Sequence, residues 1–204
     1  MAGFEDWSGR TFKQINLNNT VWKEADLVGA RFSGRIDGLV INDVEVAPLI
    51  AAEMERRYPE RALLRPVDAD SARRAWDVIE GLWSATMARC SLLGEDVLQT
   101  RVDDEWSCAE TFRHLVFVTD LWIGDKVLAV RDFHPLGIVP SFADPAAFGL
   151  EQRPASWPDV VAARESRMRI ARDAITRDLS CTRVVLDEEW AHNWFANRDL
   201  DRLA

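Results

Sequence analysis

Lysine, histidine, cysteine and tyrosine are all scarce in this chain of 204 residues. Lysine occurs only as Lys13, Lys23 and Lys126, so arginine carries almost all the positive charge, singly or in pairs, against 34 acidic side chains and a formal net charge of −9. Phosphate neutralisation needs a clustered basic face, so nucleic acid is not an expected partner. The three cysteines, Cys90, Cys108 and Cys181, are odd in number, far apart in the chain and form no C-x-x-C pair. That argues against a disulfide framework or a thiolate zinc site and for reduced, structural thiols. No apolar run approaches the ~20 residues of a bilayer crossing, and the first residues lack the charged-then-apolar order of a secretion signal. A cytoplasmic protein without a membrane partner is expected. What remains is 48% apolar, enough for one core of roughly 100–150 residues plus an appendage.

The appendage comes first. Phe12, Leu17, Trp22, Leu27 and Phe32 recur every fifth position, with Thr20, Ala25 and Ala30 two places before the last three. Neither a helix nor a flat strand has that period; a square, right-handed β-coil does. The stretch Ala25 to Phe32 resembles the pentapeptide-repeat family, whose unit is A-(D/N)-L-x-x. Five pentads are too few to bury a solenoid core, so the segment must lean on something else. One or two short strands are expected in the β-branched run from Ile36 to Val46, before a helix that Pro48 opens and Pro59 stops. The expected division is a β segment over 1–47, a linking helix over 48–64 and a helical body over 65–204.

Four long helices are predicted in that body. Ala72, Trp76, Ile79, Trp83, Thr86 and Cys90 step by four and three, an inward bundle seam. Ser107 and Glu110 form a capping box that starts a second helix running to about Val130. A proline-rich connection over 131–156 is long for a bundle and suggests a crossover or lid beside a pocket. Ser156 caps the third helix, with Val161, Met168, Ala171, Ile175 and Leu179 expected inward and Arg164, Arg167, Arg169 and Arg172 outward. The fourth starts near Cys181 or Thr182. Four helices with one long crossover make a four-helix bundle.

Chemistry concentrates on three side chains. His114 stands among Phe112, Leu115, Phe117 and Val118, while Glu188 and His192, four apart, share one stripe of the last helix. An imidazole and a carboxylate at that spacing can grip one divalent ion, and a facing imidazole would complete a three-ligand site with open positions. Two nitrogens and one oxygen suit zinc first, with nickel, iron or manganese as alternatives. The competing reading is a hydrogen-bonded core histidine and a solvated acidic run, Asp187 to Glu189. His134, the remaining histidine, is a candidate proton carrier or fourth ligand, although a histidine before proline more often serves a turn.

The segment Trp106 to Leu115 resembles the W-S-x-x-E-x-x-x-H-L motif of the DinB-like superfamily, and Glu188 to Leu200 is similar to that superfamily's last-helix motif. His134 to Gly137 resembles a loop of its actinobacterial members. The resemblance covers roughly residues 65–204 and implies a mainly α, DinB-like four-helix bundle that holds a metal through His114, position 188 and His192. Glutamate replaces the usual histidine at 188, which matches the His/Glu/His set of the mycothiol-dependent maleylpyruvate isomerase branch and lowers the site's net charge. The implied activity is thiol transfer from mycothiol or bacillithiol to a small electrophile, with metal-dependent hydrolysis, or a non-catalytic stress-response or interaction module, as alternatives. A small-molecule substrate and a homodimer are the expected partners.

Overall fold

The computed structural model describes residues 5–150 and 153–203. The first four residues of the expected β segment, the pair 151–152 of the long connection and Ala204 lie outside the described residues.

From residue 5 to residue 39 the chain turns without forming a strand ladder. Up to residue 34 its left-handed residues are Gly9, Gln14, Asn19, Glu24, Gly29 and Gly34, one in every five, and Gly38 follows four residues later. That regular reversal leaves each extended stretch too short to pair, and it sets the five-residue apolar row on successive sides of the turn. Trp7 touches both Phe12 and Trp22, with ring centroids 5.4 and 5.3 Å apart. Strands appear only afterwards, as the antiparallel pair β1 (Val40–Ile41) and β2 (Val44–Glu45), joined by left-handed Asn42 and Asp43. Helix α1 (Ala47–Arg57), with Pro48 in its first turn, buries no residue, and a 3₁₀ segment, Pro59–Leu64, leads into the body.

The body is the expected bundle. Its long helices are α2 (Ala69–Cys90), α4 (Cys108–Thr119), α6 (Trp157–Ala174) and α7 (Leu179–Leu203). A short α3 (Glu95–Leu98) lies between the first two. All six residues of the predicted α2 seam are buried. Helix α7 packs on α2 and α4, and α4 packs on α6. The square closes through Arg172 of α6, which pairs with Asp77 and Glu80 of α2. Both hydrogen bonds of the Ser107 capping box form: Glu110 N–H donates to Ser107 Oγ at 3.2 Å, and Ser107 N–H donates to Glu110 Oε2 at 2.9 Å. The predicted continuation to about Val130 is real but not uniform. A π-helical turn, Asp120–Asp125, follows α4, then α5 (Lys126–Leu128), then left-handed Ala129.

Helix α4 is buried nearly all round. A two-sided core requires a second cover, and the long connection supplies it: Leu136 packs beside Val116, and Val139 and Leu150 pack beside Phe117. Asp120 ties the connection down, since its carboxylate accepts from Arg167 Nε at 2.8 Å and from the His134 backbone N–H at 2.8 Å. Asp120→Ala leaves a half-buried guanidinium and a backbone N–H without their acceptor, so it should cost about 2 kcal/mol in urea denaturation and speed proteolytic nicking between residues 131 and 156. Unchanged nicking would show that other contacts hold the connection.

One predicted face is rotated. Arg164, expected outward, is buried, and the inward stripe of α6 runs through Val160, Ala163, Arg164, Ala171 and Ala174, with Val161 and Met168 only half buried. The cause lies across the bundle. Arg164 Nη2 donates to Glu189 of α7, and Trp83 Nε1 of α2 donates to the same carboxylate oxygen at 2.7 Å. Cys90 and Cys108, distant in sequence, meet as buried free thiols with sulfurs 3.6 Å apart.

Candidate metal centre

His114 sits in the second turn of α4, a position fixed by the Ser107 cap seven residues earlier. Its Nδ1 lies 2.9 Å from the carbonyl oxygen of Ile138 in the connection. A carbonyl only accepts, so Nδ1 donates to it, which fixes the ring orientation and leaves Nε2 facing the bundle interior. Nε2 lies 3.8 Å from Glu188 Oε2. From the next turn of α7, His192 Nε2 comes within 3.1 Å of the same oxygen. One ligand atom from each residue can be chosen so that all three lie within 4.8 Å of one another. Two donors each about 2.1 Å from one cation stand about 3.0–3.4 Å apart in octahedral or tetrahedral geometry, so the group needs only small side-chain movement to close on a single ion.

The protonation states suit ligation. The imidazoles of His114 and His192 beside Glu188 hold its carboxyl down at about 2, and burial pushes His192 below the ordinary imidazole range. At neutral pH the site therefore offers a carboxylate and, at His192, an uncharged ring, the forms that bind metals. Two imidazoles and one carboxylate with ligand atoms within 4.8 Å of one another are a donor set that fits a divalent ion.

Aromatic rings enclose two sides. Trp106, immediately before the capping serine, has its ring centroid 4.4 Å from that of His114 and 5.9 Å from that of His192. Phe195 stands 6.2 Å from His192, and Phe117 stands 6.3 Å from His114 while packing on Phe133 and Phe148 of the connection. Of the aromatic residues on the last helix, Trp190 and Trp194 instead turn toward Glu60 and Tyr58, and Phe195 alone of these three adjoins a site imidazole. The side chain of Glu188 keeps 38% of its surface exposed, so the centre opens to solvent along α7.

His134 is not brought to this cluster. Its Nδ1 accepts from the Leu136 N–H at 3.2 Å as part of a turn, and its ring faces a groove with Ala162, Ser166 and Arg167 of α6. The pair Arg198–Asp199 forms its own ion pair at 2.7 Å and reaches Glu105. Trp106 and the Ile138 carbonyl belong to the site without having been among the expected ligands. The position of Trp106 just ahead of the capping box was the available signal, whereas a backbone acceptor 24 residues from its histidine leaves none.

The family model described as the DinB superfamily matches residues 79–195, more than half of the chain, and the match includes His114, Glu188 and His192. Comparisons with curated proteins and with solved structures gave no match. No helix among the described residues is long and apolar enough to cross a membrane. With its four-helix body and the family match over that body, the chain belongs to the DinB superfamily.

Proposed function

We propose that this protein is a metal-dependent enzyme that joins a low-molecular-weight thiol, mycothiol or bacillithiol, to a small electrophile. The observation that carries the reading is the convergence of His114, Glu188 and His192 on one point beside an aromatic wall. Two imidazole nitrogens and one carboxylate oxygen suit zinc, and three protein ligands leave open positions. An ion held there supplies Lewis acidity, which lowers the pKa of a thiol or a water at neutral pH. The chain's own groups do the rest. Ile138 orients His114 through its carbonyl, Glu188 offsets part of the ion's charge, and Trp106, Phe117 and Phe195 line two sides with apolar surface that favours an apolar reactant. The choice of thiol rests on the likeness of the His/Glu/His set to the mycothiol-dependent branch.

Metal-dependent hydrolysis is the second reading, and the solvent-exposed flank of Glu188 favours it, because water reaches the centre without any movement of the connection. A visible spectrum separates the two. With Co²⁺ bound to the protein, millimolar mycothiol should shift and intensify the absorption. An unchanged spectrum would rule out thiol ligation and leave hydrolysis.

A further inference from the structure

Among the described residues, the N-terminal row of aromatic and aliphatic side chains is left largely uncovered. Trp7, Phe12, Leu17, Trp22, Leu27 and Phe32 are the residues that a five-residue coil would turn inward, yet they are between 39 and 61% exposed. In a coiled solenoid, inward side chains are buried by the coil above and the coil below, and residues 5–37 supply fewer than two coils. The bundle does not supply the missing layer. Among the described residues, hydrogen bonds between arm and bundle lie where Lys13 Nζ donates to the Asp103 carbonyl at 3.0 Å and Gln14 bonds Ser141.

We infer that this row is a dimer interface, on which the same row of a second copy stacks. Three observations select that occupant. The apolar positions and the left-handed turns repeat every five residues, and a surface of that period is matched along its length by another of the same period. An aromatic side chain buries about 150–250 Å² when covered, so the four half-exposed rings offer about 400 Å² per copy, and Leu17 and Leu27 bring the pair to about 1,000 Å², the low end for a specific interface. Charge does not oppose it: residues 5–46 carry seven acidic and five basic side chains, close to balance in a chain whose net charge is −9. A two-fold arrangement satisfies both rows at once and closes the assembly.

Sedimentation equilibrium of the full chain tests this at micromolar concentration, against the 23.2 kDa chain mass. The wild type should sediment at twice that mass. Trp22→Glu and Phe32→Glu should each sediment as monomers while keeping the wild-type thermal transition of the bundle, which these exposed residues do not help to fill. Val28→Glu is the control, since Val28 is 95% exposed and lies off the row; it should remain dimeric. A monomeric wild type overturns the inference. So does a dimer that survives both row substitutions, or one that Val28→Glu disrupts equally.

Discussion

Replacing Arg164 by methionine is expected to destabilise the bundle by about 3–5 kcal/mol, although methionine is close in length. The reason is Glu189, which is fully buried and accepts from Arg164 and from Trp83 through a single oxygen. Without the guanidinium, a carboxylate is left in an apolar core. Burial already raises the carboxyl of Glu189 above the usual range, with the charge of Arg164 opposing that rise. In Arg164→Met the opposition disappears, so the folded-state pKa climbs further above that of the unfolded chain. A group with a raised folded pKa stabilises the fold at low pH and loses that contribution as pH rises through the folded value. The deficit should therefore be largest near pH 8 and should shrink towards pH 5. Removing both partners, as in Arg164→Met with Glu189→Leu, should cost less than either single change, because only the Trp83 indole N–H is then left without an acceptor. Guanidinium denaturation of the four proteins at two pH values gives the coupling directly. Additive single effects would show that the pair is not the unit described.

Zinc should raise the melting temperature by about 5–10 °C when present at a hundredfold excess over its dissociation constant. Ligand that binds only the folded chain adds about 2.7 kcal/mol at that ratio, and a chain of this size gains about 2–4 °C per kcal/mol. The rise should vanish in His114→Ala, Glu188→Ala and His192→Ala. In the wild type it should also fade in acid, because protons compete for the imidazoles. For His192 that competition sets in below the ordinary imidazole range, since burial holds its pKa down. An equal rise in all three variants would place the stabilising ion elsewhere.

Local patterns were readable in the sequence because local physics produces them. The four-and-three stepping of α2, the serine-and-glutamate cap of α4 and the shared stripe of Glu188 and His192 each follow from the geometry of a single helix. Placing His114 opposite them needed the bundle itself, and the family resemblance supplied that. The arm's five-residue period appears in both the apolar row and the left-handed residues. Arg164 reads as one of four arginines on an outward face of α6, because the partner that draws it inward lies 25 residues ahead. A buried ion pair between helices has no local signature; what could have revealed it is that Arg164 shares its stripe with Val160, Ala171 and Ala174. The π-helical turn after Thr119 was equally hidden, since one extra residue per turn alters no composition.

The central claim is that two imidazoles and one carboxylate share a cation. Metal analysis of protein dialysed against trace zinc tests it most directly. One equivalent per chain is predicted for the wild type, and less than about a tenth for each alanine variant of His114, Glu188 and His192, all three remaining folded by circular dichroism. A full equivalent retained by all three variants, or none bound by the wild type, would contradict the account.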